Sequence, residues 1–446
     1  MKNTILLSLI LSSSLVLWSC KSDDSTVAPV TSTTAVCYEP SSTPTTTTSS
    51  TGNYVVVDTD QTKCFNSTTG AESTCTGTGD ANTAYDADFS GNQPSYTANG
   101  AGTVVTDNRT SLMWEQSTDT NGDSAVNESD KLSQADGVTY CENLSLGGFD
   151  DWRLPDIKTL YSLITFNGGD PSGYSGTDTS GLVLFIDSAF DRAFGDQTAG
   201  ERLIDGQYLT ITRNVNPVFS DTNPGDAFFG VNFVDGRIKS YECSGDSRTY
   251  YVRCVRGNTT YGLNNYALTN SGATVSDSAT GLMWHQSDVV STDWDNAVII
   301  CKNDSTAGFN DWRLPNVKEL ESIVDYTRSP ATTSSAAIDS VFASTSITNE
   351  ENVADWPWYW SSTTHKTYSG EGKAGAYVSF GRALGFFQSN IQDVHGAGAQ
   401  RSNYKVDVSG TPGASSATNA YGTFYYHGPQ GDILRENSYV RCVRDI

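Results

Sequence analysis

Gly148-Phe149-Asp150-Asp151-Trp152-Arg153-Leu154-Pro155 returns later in the chain as Gly308-Phe309-Asn310-Asp311-Trp312-Arg313-Leu314-Pro315, with only Asp150 exchanged for Asn310. So long a match in so polar a chain means that one module occurs twice. Working outward, each copy is preceded by a Thr-Val strand and a Leu-Met-Trp triplet, Leu112-Met113-Trp114 and Leu282-Met283-Trp284. A cysteine-bearing helix follows. In the second copy Trp294, Ala297, Val298 and Cys301 recur at helical spacing. After the turn a second helix is expected, with Ile157, Leu160, Tyr161 and Ile164 or Val317, Leu320 and Val324 on its apolar face. Pro155 and Pro315 suit its first turn, where a missing N–H costs nothing. Each copy closes on the same hexapeptide, Tyr251-Val-Arg-Cys254-Val-Arg256 and Tyr439-Val-Arg-Cys442-Val-Arg444. Read as a strand, it places Val252, Cys254 and Arg256 on one face and Tyr251, Arg253 and Val255 on the other.

The 446 residues divide accordingly into a signal peptide (1–19), a Ser/Thr/Pro tether (20–52), a small β segment (53–101), and repeats at 102–257 and 258–446. With 37% hydrophobic and 11% aromatic residues, each repeat has enough apolar surface for its own core. The net charge of −24, from 27 Lys+Arg against 51 Asp+Glu, argues against a nucleic-acid backbone as partner.

Lys2, the apolar run from Ile5 to Trp18 and the Ser19-Cys20 junction describe an export signal too short to span a membrane. Cys20 stands where a bacterial lipobox is lipidated, and Asp23-Asp24 follow it. The expectation is an outer-membrane lipoprotein displayed at the cell surface, with the tether, which has little to bury, acting as a flexible spacer. Setting Cys20 aside leaves an even set of cysteines. In an exported chain these read as disulfides. Cys64 and Cys75 flank a turn and suit a hairpin beside the strand candidate Tyr54–Val57, and the Gly- and Asn-rich stretch up to Gly102 reads as loop. Cys141–Cys254 and Cys301–Cys442 suggest themselves as bridges from first helix to last strand. Cys37 and Cys243 are left over, and their pairing stays open.

At Thr280-Gly-Leu-Met-Trp284, Asp311-Trp-Arg-Leu-Pro315, Tyr359-Trp-Ser-Ser-Thr363, Ala376-Tyr-Val-Ser-Phe-Gly381, Asp393-Val-His-Gly-Ala-Gly-Ala-Gln-Arg401 and Val440-Arg-Cys-Val-Arg444, the chain resembles the Lcl C-terminal domain family of bacteria. Phe229-Gly-Val-Asn-Phe-Val-Asp-Gly-Arg237 adds a match in the first repeat. The resemblance implies an α+β class: two tandem C-type-lectin-like domains, each stapled by a helix-to-final-strand disulfide. The adhesin that gives the family its name implies a glycan or host-surface ligand. The first repeat has Tyr208-Leu-Thr-Ile in place of Tyr-Trp-Ser-Ser, so a site on that segment belongs to the second.

Two constellations are candidates for chemistry. An insertion in the first repeat carries Asp119, Asn121, Asp123, Asn127 and Asp130 at loop positions 1, 3, 5, 9 and 12, with the Ala125 carbonyl at 7. This is the ligand schedule of an EF-hand and is similar to the loop of dockerin modules, so a structural calcium in the first repeat is expected, with a helix starting near Lys131. Position 6 is Ser124, where the loop needs a positive φ costing roughly 1–2 kcal/mol without glycine. In the second repeat, Trp358, Tyr359 and Trp360 could stack on a sugar or peptide, with His365, His395 and Arg401 nearby in sequence; filling the core is the competing use of those rings. No nucleophile elbow or metal-spaced His pair accompanies them, so a non-enzymatic binding or adhesion protein is expected. An envelope structural protein binding another protein is the alternative, and a hydrolase using the second repeat a weaker one.

Overall fold

Each repeat begins with two antiparallel strands, Val104–Asp107 with Met113–Glu115 and Thr274–Asp277 with Leu282–His285. An aspartate turns the corner both times. Asp107 accepts the Arg109 N–H at 2.8 Å and the Thr110 hydroxyl at 2.7 Å, and Asp277 accepts the Ala279 N–H at 3.0 Å and the Thr280 hydroxyl at 2.9 Å. A carboxylate that mimics a backbone turn explains why Asp and Thr stand at this spacing. The last strand of each repeat, Val255–Arg256 or Val443–Asp445, returns to this pair. A leading strand, Tyr96–Ala98 or Tyr266–Thr269, completes a four-stranded sheet. Tyr96–Ala98 lies where composition read as loop. Its Gly and Asn belong to the flanks, while Tyr96 packs edge-on against Phe190 with centroids 5.2 Å apart.

The computed structural model describes residues 37–38, 54–75, 85–219, 226–243 and 248–446. The signal peptide, Cys20 and all of the tether except Cys37 and Tyr38 lie outside them. Tyr54–Val57 is not a strand. Only Val57 forms a bridge, to Asn92, and the Tyr54 N–H donates to Ala279 O of the second repeat at 3.3 Å. The hairpin beside it forms as expected, Cys64–Phe65 on Glu72–Ser73.

Helix α1 spans Gln134–Asn143 and α3 spans Trp294–Lys302, capped by Ser133 and Asp293. The first therefore starts later than Lys131, because after a single 3-10 turn at Glu128–Asp130 the chain is held extended by the bridge between Leu132 and Tyr250. Trp152 and Trp312 are buried in the core, with indole N–H groups donating to Leu146 O and Thr306 O at 3.3 and 3.1 Å. The following helices, α2 (Ile157–Tyr161) and α4 (Val317–Ser322), are short. Their caps are Asp156 and Asn316, so the prolines precede the cap instead of occupying the first turn. The cause is tertiary: Pro155 O accepts the Ile211 N–H at 2.9 Å and Pro315 O the Ser362 N–H at 2.8 Å, holding each turn extended. Ile164 and Val324 fall beyond the helices, in bridges to Ile186 and Ile338.

The repeats then merge. One sheet runs in the order Val289–Thr292, Ser438–Val440, Trp358–His365, Ala374–Ser379, Gln400–Tyr404, Arg237–Glu242, Ala227–Asn232, Gln207–Tyr208. The halves meet at the bridge Gln400↔Ile238, between strands that occupy equivalent places in the two repeats. The flanking pairs repeat as well: Tyr208 bridges Tyr251 in parallel, as Tyr359 does Tyr439. At this internal two-fold α2 and α4 cross-link. The Lys158 ammonium donates to Ser322 O at 2.7 Å and that of Lys318 to Ser162 O at 2.8 Å. Two tandem domains, mostly β with few helices, thus share a core.

The closing hexapeptide is not one strand. Tyr251 lies in the shared sheet and Val255 in the small one, so the segment crosses between sheets and Tyr251 through Val255 are all buried. A one-faced alternation cannot describe a segment covered on both sides. The three expected disulfides, Cys64–Cys75, Cys141–Cys254 and Cys301–Cys442, are present, and Cys37 pairs with Cys243. The last arginine of each hexapeptide returns to the opening motif: Arg256 to Asp151 at 2.5 Å and Arg444 to Asp311 at 2.7 Å.

Candidate functional site

The segment leading into each repeat docks on the turn of the other. Before the second repeat, the Gly262 carbonyl accepts from Lys158 at 3.4 Å and the Asn258 carbonyl from Arg153 at 3.0 Å. Before the first, the Asp58 carbonyl accepts from Lys318 at 3.2 Å. The two contacts differ in what they enclose. Where residues 56–58 and 86–92 meet the second repeat they leave a cleft of about 360 Å³.

The cleft is polar and acidic. Asp58, Asp86 and Asp88 enter from the segment, and Glu319 and Asp445 from the second repeat. Among the described residues Arg313 is the one cation on its wall, and it is already engaged, bidentate to Glu319 at 2.5 and 2.7 Å and with Asp445 at 3.1 Å. Phe89 stands at the rim, 39% exposed, with its ring 5.4 Å from the Arg313 guanidinium. Asp86 is 2% exposed, and its Oδ2 accepts the hydroxyls of Thr59 at 2.7 Å and Thr363 at 2.5 Å. No donor of the described residues is bonded to its Oδ1. Burial, and then the charge of Asp58, raise its carboxyl to about 7.

The second repeat's aromatic residues are elsewhere. Trp358, Tyr359 and Trp360 are buried in the shared sheet, at most 1% exposed. Trp358 stacks on Tyr377 at 4.8 Å, the Tyr359 hydroxyl donates to Asp288 at 2.5 Å, and the Trp360 indole donates to Thr292 O at 3.0 Å. They therefore offer no ring face to a ligand; the core reading of these rings wins. His365, His395 and Arg401 lie near the internal two-fold, also buried. Arg401 and His395 meet on one carboxylate, Asp432, with His395 Nε2 2.8 Å from Oδ1. His365 stands apart from them. Its Nε2 donates to Asp235 O at 2.8 Å, and its ring stacks on Phe185 at 5.1 Å. Burial, then Arg237, lower His365 to about 4; burial and Arg401 hold His395 well below its ordinary range. Both are neutral imidazoles in a network whose cations, Arg237 and Lys239, are paired with Asp170 and Asp235. These groups join the repeats and are largely buried, with the Lys239 and Arg237 side chains 14% and 11% exposed.

In the 119–130 loop, Asp119 curls the chain by accepting the N–H groups of Gly122, Asp123 and Ser124 at 2.8, 3.1 and 2.8 Å. Ser124 takes φ +71°, the left-handed conformation that position 6 requires. Asn121 and Asp123 accept from Asp123 and Ala125 N–H at 2.9 Å. Asp130, fully buried, accepts from Asn127 N–H at 2.9 Å and Asn121 N–H at 3.3 Å. The residue types and the turn fit an oxygen-rich cation loop. Among the described residues, however, the one trio of His, Cys or acidic groups with ligand atoms mutually within 4.8 Å is Cys64, Cys75 and Asp88, whose two sulfurs form a disulfide. The loop carboxylates are more widely spaced than that.

Nothing in the residues of 85–92 announces the cleft, since its walls come from positions far apart in the chain. One signal is legible. Where the second repeat has Glu319 and Asp445, the first has Thr159 and Gly257 at the matching positions, so only the second acquires a carboxylate-lined wall.

The family model described as the Lcl C-terminal domain matches residues 103–256 and again 273–444. No curated protein and no solved structure matches the chain.

Proposed function

The chain belongs to the Lcl C-terminal domain family through both of its repeats, and from that premise we propose that it is an exported, lipid-anchored binding protein whose ligand is a glycan. The cleft beside Arg313 carries this reading. A hollow of about 360 Å³ lined by carboxylates, amides and hydroxyls, with an exposed aromatic ring at its edge, is suited to a polyhydroxylated ligand: the polar groups bond hydroxyls and Phe89 packs on a sugar face. In keeping with the resemblance, each domain is proposed to have a C-type-lectin-like fold, supported by the helix-to-last-strand disulfide common to both. Cys20 supplies the lipid and the Ser/Thr/Pro stretch the spacer that holds the cleft away from an outer-membrane surface.

A glycan array probed with the folded chain and with Phe89→Ala tests this. The expected result is a set of glycan hits weakened roughly tenfold or more by Phe89→Ala, as loss of a stacking ring requires. Absence of hits, together with a co-purifying envelope protein, would favour the protein-binding alternative.

We further propose that the 119–130 loop holds calcium in a structural role, through Asp119, Asn121, Asp123, Asn127, Asp130 and the Ala125 carbonyl. Support comes from the left-handed Ser124 and from the closure around Asp119. Calcium at 100 times its dissociation constant should stabilise the fold by about 2.7 kcal/mol. Thermal denaturation with calcium and with a chelator measures this. Equal midpoints in the two conditions, or an unchanged calcium response in Asp123→Ala, count against the loop.

A further inference from the structure

The acidic surplus of the cleft goes beyond general sugar recognition. Arg313 is engaged by Glu319 and Asp445, and the nearby buried Lys318 ammonium donates to the carbonyls of Asp58, Ser162 and Ile164, so among the described residues no ion pair reaches the carboxylates of Asp58, Asp86 and Asp88. Asp86 is the sharpest feature. It is almost fully buried, two threonine hydroxyls are spent on Oδ2, and Oδ1 lacks a donor among the described residues. With no protein donor on it, and with Asp86 on the cleft lining, this oxygen is open to a donor carried by a ligand. A bare metal ion is a poor occupant, because the cleft's carboxylates do not gather as a ligand trio within 4.8 Å. An organic cation reaches one carboxylate with its charge while its scaffold spans the rest.

We propose that the cleft binds a primary ammonium group carried on a polyhydroxylated scaffold, an amino sugar, with Asp86 accepting the ammonium. The proposal rests on the glycan reading above. The scaffold packs against Phe89, and amide and hydroxyl groups such as Asn92, Thr280 and Asn316 meet its hydroxyls. A lysine side chain carries the same ammonium but presents only methylenes to a wall made mostly of polar groups. Near neutral pH Asp86 is divided between its acid and its ionised form. A bound cation selects the ionised form, so binding of an amine that is already protonated in solution releases a proton into the buffer.

The test is calorimetric titration of the folded chain at about pH 6, where the sugar amine is protonated and Asp86 still holds its proton, with a glucosamine hexamer, an N-acetylglucosamine hexamer and oligolysine, each in two buffers of different ionisation enthalpy. The amine hexamer is expected to bind at least tenfold tighter than either other probe, with a buffer-dependent heat that reports proton release. Asp86→Asn should erase both the preference and the proton release while leaving weak binding of the N-acetylated hexamer. Should Asp86→Asn not fold, Asp88→Asn on the same wall and the wild-type proton release decide. Equal or tighter binding of the N-acetylated hexamer overturns the amine assignment and leaves the glycan reading standing. Tighter binding of oligolysine overturns the sugar scaffold in favour of a cationic peptide. Binding of none of the three overturns the proposal, and the array then decides the glycan reading separately.

Discussion

At the same turn, the two repeats put the same arginine to different use. Arg153 donates to the backbone carbonyls of Gly257 and Asn258, and the linker lies directly on the turn. Arg313 faces two carboxylates, and the segment crossing above it leaves a cleft. The opening octapeptides are nearly identical, so the motif itself encodes a structural corner. What distinguishes a packed contact from a recess is two side chains outside it, Thr159 against Glu319 and Gly257 against Asp445. A duplicated module can thus acquire a site in one copy without altering its signature.

The largest expected effect asks whether the copies are equally anchored. Their long disulfides span 113 and 141 residues, so by loss of chain entropy each contributes about 4–5 kcal/mol. Paired Cys→Ala variants should lose this much to within about 1 kcal/mol of each other in chemical denaturation. The bridge Cys64–Cys75, with a separation of 11, should cost less when removed. A large inequality between the two long bridges would mean that the repeats unfold separately.

The second contrast is the arginine itself. Arg313→Ala strands the mostly buried Glu319 without its partner and should cost about 3–5 kcal/mol. Arg153→Ala removes only hydrogen bonds to neutral carbonyls, a net loss of about 1–3 kcal/mol. Denaturation midpoints of the two variants, measured side by side, check the ranking. If Arg153→Ala proves the costlier, the buried ion pair is not what fixes the second turn.

The smallest effect compares Glu115 with His285, which follow the matching tryptophans Trp114 and Trp284. Burial raises Glu115 to about 7, opposed by hydrogen bonds from the Tyr140 hydroxyl and the Cys254 N–H. The folded state therefore holds a proton that the unfolded chain releases from about pH 4.5. The stability this group supports is present at low pH and fades as pH rises through 7. Burial lowers His285, opposed by Asp304, so its contribution is present above its unfolded value near 6.5 and fades as pH falls. Glu115→Gln should remove a falling component of the stability–pH curve between about 4.5 and 7, at most about 1.4 kcal/mol per pH unit. His285→Gln should remove a rising one at the acid end. Slopes of one sign in both difference curves would break the contrast.

Duplication, the disulfide pairs within the repeats, α3 and the Cys64–Cys75 hairpin were legible because each rests on local spacing or on an even cysteine set. The closing hexapeptide reads as one strand, but Tyr251 and Val255 join different sheets, which no periodicity records. The aromatic run Trp358–Trp360 has the composition of a binding surface as much as of a core strand, and sequence neighbours cannot decide which. Burial does: Trp358 and Trp360 pack in one cluster with residues of α3, and Tyr359 packs with Phe380 in the core common to both repeats. His365, His395 and Arg401 were drawn together by proximity in the second repeat, but only His395 and Arg401 meet, on an aspartate from a later strand.

By itself, the sequence determined that one module occurs twice, which cysteines staple each copy and where the acidic loop of the first repeat lies. The duplication and the loop are patterns of neighbouring residues, and the pairing follows from an even cysteine set standing at matching positions in the two copies. Only the tertiary structure decided that the repeats share one sheet, that each leading segment crosses the other repeat's turn, and that the crossing over the second repeat leaves a cleft. Those outcomes depend on contacts such as Asp86 with Thr363, residues 277 positions apart. Packing brings such groups together, and at that distance no periodicity along the chain records it.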